Sequence, residues 1–568
     1  MDFFGTVALM VVLLGLGWRY LGSYMVAVYE GKVHWLGSVE RPVYRLMGVD
    51  PEVEQGWRRY AGSVISYSLV AVLITYGLLR LQRYLPLNPS HLPNVAPALS
   101  FNTAVSFLTN TNWQNYAGET TMSYFSQMVA LVVQNFASAS VGIAIAIALI
   151  RGFARKGSAT GTSGTIGNFW VDLVRGTLYV LLPISFVMAI ILVSQGAVQT
   201  LTGPAQVVNH LTGVHQTLAR GPYASQEAIK QLGTNGGGPL NANSADPFSS
   251  PTGLTNFLEV FALLAIPVAL TYTFGKMVGS VRQGVAVLAA MAVLFGAWAG
   301  VAVAAEAGPN PAVAAAGLVH QQGGNLEGKE VRNGAASSAL FDVAATQASA
   351  GSVDSAADSY NPVGGLALMA GMMQGEVTPG GVGSGLYTIL LSAIVAVFIG
   401  GLMIGRTPEY LGKKIQAREV KLAAFGVLVM PVAVLVLTGI AVSIHAGTSV
   451  TGNSGPHGFS EIFYSFLSQT NNNGSAFGGL SGDTAFYNIM GGIAMLAGRF
   501  FVIIPVLALA GTLAAKQVVP VSLGTFRTDT PLFVGLLIGV IVIIGGLTFF
   551  PAVSLGPVVE QLGKGRLY

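Results

Sequence analysis

The chain has 568 residues; 52% are hydrophobic, only 9% are charged, the net charge is +4 and there is no cysteine. A soluble domain carries roughly 25% charged residues, so a purely aqueous fold is excluded, and so are disulfides, thiolate metal sites and cysteine nucleophiles. The basic residues sit in short loops between apolar runs, so the positive balance reads as membrane orientation and no nucleic-acid partner is expected.

A bilayer crossing takes about 20 apolar residues. Runs of that kind are expected at 3–29, 61–84, 123–150, 169–196, 255–274, 284–305, 385–404, 421–443, 485–512 and 531–550. The first lacks a basic leader and a small-residue cleavage pattern, so it is expected to remain as a helix. With the N-terminus outside, the inner loops hold 17 basic residues and the outer segments 8. This excess predicts a multi-pass protein with both termini outside.

The outer loops after the second, fourth, sixth and eighth runs share one pattern: a helix-like stretch, a small polar cluster, then the next run. The clusters are Thr109-Asn110-Thr111-Asn112-Trp113-Gln114, Thr234-Asn235-Gly236-Gly237-Gly238, Ala348-Ser349-Ala350-Gly351-Ser352 and Thr470-Asn471-Asn472-Asn473-Gly474-Ser475. Asn110, Asn235, Ser349 and Asn472 follow one another at intervals of 125, 114 and 123 residues. Near-equal spacing predicts diverged repeats. The expected fold is an all-α membrane protein of about ten transmembrane helices. It would hold four helix–pore helix–filter–helix repeats in pseudo-fourfold arrangement, with one extra helix at each end. The segments are 1–60 (first helix and inner loop), 61–157, 158–282, 283–418 and 419–515 (pore repeats one to four) and 516–568 (last helix and outer tail).

Such clusters suit a dehydrated monovalent cation, which needs a ring of oxygen ligands that extended backbone can supply. Regular helix spends its carbonyls internally, and non-helical backbone at membrane depth must be buried or line a cavity. The candidate filter residues are Asn110, Thr111, Asn112 and Gln114; Thr234, Asn235 and Gly236; Ser349, Ala350 and Gly351; and Asn472, Asn473 and Gly474. Asn112 stands where a filter glycine is expected. Gly237 and Gly381 are expected to lie outside the ring. Any one cluster also reads as an ordinary exterior turn, and Thr234–Gly238 does so most. The spacing and the matching places in the chain favour the filter.

The stretch from Gly375 to Gly385 holds Glu376, Pro379 and several glycines, including Gly380 and Gly381, and cannot be a continuous helix. A gate beneath the third filter segment is one reading, a kinked helix the other. Arg499, inside the ninth run, is costly in the bilayer. It reads either as an electrostatic barrier below the filter or as half of a buried pair with a carboxylate, such as Glu376. The charged inner loop with Arg406, Glu409, Lys413 and Lys414 is a positive-inside anchor or a docking surface. The seven histidines show no metal-ligand spacing and are assigned no chemistry. The chain has no G-x-x-x-x-G-K-[ST] loop and no Asp-Lys-Thr-Gly motif, and no catalytic residue is expected, so the energy must come from a partner or an ion gradient.

The strings Asn110-Thr111-Asn112-Trp113-Gln114, Asn235-Gly236-Gly237-Gly238, Asn325-Leu326-Glu327-Gly328-Lys329-Glu330, Arg406-Thr407-Pro408-Glu409-Tyr410-Leu411-Gly412-Lys413-Lys414-Ile415 and Asn471-Asn472-Asn473-Gly474-Ser475-Ala476-Phe477 resemble the KdpA family. These are the potassium-binding and translocating subunits of bacterial Kdp potassium-importing ATPases. The resemblance implies a potassium-channel-like fold in the bacterial cytoplasmic (inner) membrane, surrounded by lipid. It implies capture of K+ from outside and its transfer to the P-type ATPase subunit KdpB, with KdpC and KdpF as further subunits. No cofactor is implied; K+ is the cargo. In the family the 375–385 region obstructs the direct path inward. A stand-alone Trk/Ktr-type transporter driven by an ion gradient is the alternative, and the quoted strings disfavour it. A membrane-embedded hydrolase would need a convergent base and nucleophile, and the sequence offers none.

Overall fold

The computed structural model describes residues 3–157, 164–209, 211–318, 320–403, 405, 407–520 and 526–563. In lipid an unsatisfied backbone group costs several kcal/mol, so long apolar runs close their hydrogen bonds internally as helices. Ten helices among the described residues are long and apolar enough to cross a membrane. Each overlaps an expected run. The second is displaced: it spans Trp57–Arg80 rather than 61–84. Gln82 ends it, because its side chain is buried and donates to the Pro93 and Thr121 carbonyls at 2.8 and 2.9 Å.

Four shorter helices lie in the loops before the polar clusters: Pro97–Leu108, Tyr223–Leu232, Gly334–Gln347 and Gly455–Asn471. Each stands between two spans, so the chain runs span, pore helix, polar cluster, span four times over. The first and last crossings lie outside this scheme. The first, Phe3–Tyr29, packs along Gly253–Met277, where Gly22 lets the helices touch: a Cβ there would lie 2.8 Å from the Ala269 carbonyl oxygen. The last, Pro531–Val553, packs against Val281–Glu306 and Ser384–Met403.

The core lies around the helix Val133–Ala154, buried at every residue from Ser138 to Ile150 and packed on Ala485–Ala514. In the third repeat the crossing is broken, as the sequence predicts: Pro362–Met373 ends, residues 374–383 are irregular, and Ser384–Met403 completes the span. Among the described residues, strand is confined to three two-stranded ladders; the longest pairs Ala205–Val208 with His215–Leu218, Ala205 opposite Leu218.

Candidate ion filter

Each pore helix ends in the same cap. The residues at left-handed φ are Asn110 (66°), Thr234 (45°), Ser349 (53°) and Asn472 (59°). The next residue then donates its amide to a carbonyl five positions back: Thr111 to Ser106, Asn235 to Lys230, Ala350 to Ala345 and Asn473 to Ser468, at 2.8–3.0 Å. This is the Schellman closure of a helix C-terminus. It turns the chain sharply and releases it as irregular, non-helical backbone. Thr234, not Asn235, is thus the counterpart of Asn110, one residue from the register expected from sequence. The negative ends of four helix dipoles point at the same place, which favours a cation there.

The four clusters converge on one axis. A Cβ on Gly236 would lie 2.1 Å from the Gly351 amide nitrogen, one on Gly351 2.7 Å from the Gly474 carbonyl carbon, and one on Gly474 1.6 Å from the Thr111 carbonyl oxygen. Gly237 closes the circle, its Cβ position 2.8 Å from the Asn112 carbonyl oxygen. The expectation that Gly237 lies apart is therefore corrected: it adjoins the first cluster. Asn112 takes the place of the ring glycine at φ 57°, beside Gly236 at 100° and Gly474 at 94°. Its side chain donates to Asn135 at 2.9 Å. The carbonyls are not all alike. That of Asn235 accepts the Gly351 amide at 2.9 Å, and that of Thr234 accepts the Asn110 side-chain amide at 2.9 Å. Gln114 clamps Gly238, accepting from its amide and donating to its carbonyl, both at 3.0 Å. Beside the clusters lies a cavity of about 1010 Å³, lined in part by Trp113, Gln114, Glu330 and Asp483.

Beneath, the break at 374–383 is pressed against the clusters. The Gly380 amide donates to the Gln347 carbonyl at 2.8 Å, and the Val382 amide to the Thr234 hydroxyl at 2.9 Å. Gly381 sits under both, its Cβ position 3.0 Å from the Ser349 Cβ and 3.3 Å from the Thr234 hydroxyl. Gly383 touches Gly142 of the first repeat: a Cβ on it would lie 2.0 Å from the Gly142 carbonyl. Glu376, at φ 52°, accepts a hydrogen bond from Asn473 at 2.8 Å. Arg499 lines the same small cavity as Glu376, yet donates to the Ser138 carbonyl at 3.2 Å. Among the described residues no ion pair joins Arg499 to Glu376 or to any other carboxylate, so the buried-pair reading of Arg499 is set aside.

The charged loop around 406–414 divides. Lys413 is buried and its ammonium donates to the Arg155 and Lys516 carbonyls at 2.5 and 2.6 Å. Burial, and then the charge of Lys516, lower it to about 8. Lys413 thus fastens this chain's own loops and presents nothing to a partner, a correction to its expected docking role. Glu409 and Lys414 pair backbone to backbone in the small ladder; Lys414 is exposed. Arg406 lies outside the described residues.

Sequence reasoning assigned nothing to His457, whose imidazole lies 2.8 Å from Asp358 and 2.9 Å from Glu560 in the first turn of the fourth pore helix. Its carboxylate partners are 99 and 103 residues away, so no local pattern reveals them. Burial opposes its charge, but the two carboxylates outweigh it and raise the imidazole to about 10.

A family model described as KdpA, potassium-transporting ATPase A subunit, matches residues 7–562. The potassium-transporting ATPase potassium-binding subunit of Granulibacter bethesdensis is 54% identical over 556 residues, 97% of this chain and 96% of that protein. That of Mesorhizobium japonicum is 55% identical over 554 residues, again 97% and 96%. Among solved structures, the potassium transporter TrkH from Vibrio parahaemolyticus shares the fold, with a TM-score of 0.50 and 16% identity over 78% of this chain and 85% of that one. Four capped pore helices around one axis and a match from end to end lead to one conclusion: the chain belongs to the KdpA family.

Proposed function

We propose that this chain is the potassium-binding, channel-like subunit of an ATP-driven import complex, taking K+ from outside and passing it to an ATPase partner. The observation that carries this reading is the fourfold cap: four left-handed residues release four non-helical segments onto one axis. Stripped of water, K+ needs carbonyl oxygens from several directions at once, and four such segments supply them. Thr111, Asn112, Gly236, Ala350, Gly351, Asn473 and Gly474 would present the ring, while Asn110, Thr234, Ser349 and Asn472 set its geometry and Gln114 its outer edge.

The broken segment with Glu376, Gly380 and Gly381 would close the direct way inward, and the Arg499 guanidinium would repel an ion that strays below the filter. Both point to a sideways exit toward a partner. The chain itself hydrolyses nothing; the partner does. Relatives named as subunits of a potassium-transporting ATPase support an ATPase of the KdpB type, with KdpC and KdpF, as the complex. The excess of basic residues in the loops after the odd-numbered spans supports the bacterial inner membrane with both termini outside. Lys414 and Glu409 remain candidate contacts for that partner.

The test is co-purification from native membranes followed by ATP hydrolysis titrated with K+. Recovery with a P-type ATPase and saturable stimulation by K+ is the expected result. A chain recovered alone that conducts K+ without ATP would overturn it.

A further inference from the structure

Because the four pore helices share one cap, positions can be compared across repeats. Four residues before the left-handed residue stand Ser106, Lys230, Ala345 and Ser468. In the first and fourth repeats this residue is a hydroxyl that holds the departing backbone: Ser106 donates to the Trp113 carbonyl at 2.8 Å, and Ser468 accepts the Gly474 amide at 3.0 Å. The second repeat has a lysine instead, its side chain fully buried.

The Lys230 ammonium lies 2.7 Å from the Glu227 carboxylate and donates to Asn243 at 2.6 Å. It also lies beside the end of the second cluster, 3.4 Å from where a Cβ on Gly238 would be. Asn243 and Ser244 belong to the return segment after that cluster. The Ser244 hydroxyl donates to Glu227 at 2.7 Å, and its amide to the Val353 carbonyl at 3.0 Å, just past the third cluster. One buried network therefore runs from the second pore helix, behind three consecutive glycines, to the exit of the neighbouring filter segment.

Those glycines explain the need. Gly236, Gly237 and Gly238 bring no side chain to fix themselves, and glycine backbone is the most pliable there is. The fourth cluster has Ser475, held by Tyr464 at 2.8 Å, and the first has Trp113, held by Asn115 at 2.7 Å. A serine at position 230 could not reach across to the return segment; a lysine can. A buried ammonium is costly unless paired and hydrogen-bonded, and here it has both partners.

We infer that Lys230 is a positioning residue for the second filter segment, a strut through Glu227 and Asn243 that sets discrimination among alkali cations. The inference rests on the potassium-filter reading above. If the strut is cut, the glycine segment relaxes and its carbonyls fit K+ less selectively, while the rate once K+ is bound changes little.

The intact complex is the test object, with ATP hydrolysis titrated separately with K+ and Rb+. Stimulation of the wild type by K+ is the control on the potassium reading, and its absence overturns that reading rather than this inference. Lys230→Met should raise half-saturating K+ about tenfold and narrow the K+ over Rb+ preference about tenfold, with the maximal rate kept within about twofold. Asn243→Ala, which removes only the far anchor, should shift both in the same direction by about threefold. Unchanged half-saturation and preference in either assembled variant overturns the inference. If Lys230→Met fails to assemble, Asn243→Ala decides alone; if both fail, the network is a folding element and the inference falls.

Discussion

The Val382 amide donates to the Thr234 hydroxyl at 2.9 Å, joining the broken crossing of the third repeat to the cap of the second pore helix. The bond ties the second pore-helix cap to the 374–383 segment, proposed above to close the way inward. Thr234→Val keeps the shape and removes the acceptor. A net hydrogen bond contributes about 0.5–1.5 kcal/mol, so ATP-independent K+ efflux from vesicles carrying the complex should rise by up to about tenfold. An efflux equal to that of the wild type would show that the bond does not hold the segment shut.

The glycine ring predicts a graded series. Gly236→Ala, Gly351→Ala and Gly474→Ala each drive a methyl into a neighbouring repeat's backbone. Strain of about 1–3 kcal/mol follows where the backbone is unusual, which should weaken K+ binding and narrow selectivity by about a decade or more. Gly237→Ala should act much as Gly351→Ala does, since its Cβ would lie 2.8 Å from the Asn112 carbonyl against 2.7 Å at Gly351, and Gly237 also stands at a φ of 65°. Gly296→Ala meets nothing within 4 Å and is the control. Ion competition against K+ reads all five, and a control as impaired as the ring variants would dissolve the assignment.

Arg499 donates to a single backbone carbonyl and has no carboxylate partner among the described residues. Arg499→Gln can keep that bond while losing the charge. The complex should reach the membrane in normal amount, with K+ transport per ATP altered at least about twofold, because a fixed charge acts strongly where water is scarce. Loss of the folded chain instead would assign Arg499 to structure.

A pH dependence follows from His457. Its imidazole is raised to about 10 by Asp358 and Glu560, against burial. A raised pKa contributes stability that is complete below the unfolded value of about 6.5 and is lost as pH climbs through the folded one. The gap in Tm between wild type and His457→Gln should be largest near pH 6 and shrink steadily between about pH 7 and 10. A gap constant over that range would mean the imidazole is neutral in the fold.

The crossings were legible because hydropathy is a one-dimensional signal, and the break at Pro379 was legible because several glycines and a proline forbid helix. The second repeat was the hardest. Tyr223–Leu232 carries Gln226, Glu227, Lys230 and Gln231, so it reads as a solvated stretch before a plain loop, yet all four are buried. Their polarity is spent on an internal network whose far members, Asn243, Ser244 and Val353, no helical periodicity points to. Lys413 misled in the same way. A lysine in a basic inner loop looks exposed, and only the fold shows two carbonyls from distant loops closing over it. Register in the second cluster slipped by one because Asn235 resembles Asn110 in kind, whereas the cap is defined by dihedral angle and falls on Thr234.

The contact between Gly383 and Gly142 is one of backbone on backbone. Neither residue has rotamers to freeze, so bringing the two surfaces together forfeits no side-chain entropy, a term that reaches about 1.5–2 kcal/mol for a long side chain. Nor does separation require any side chain to find a new well. Any opening of this segment would therefore turn on the hydrogen bonds at Gly380 and Val382 and on the burial of Val377 and Val382 in the core, and on no side-chain rearrangement at the glycine contact itself.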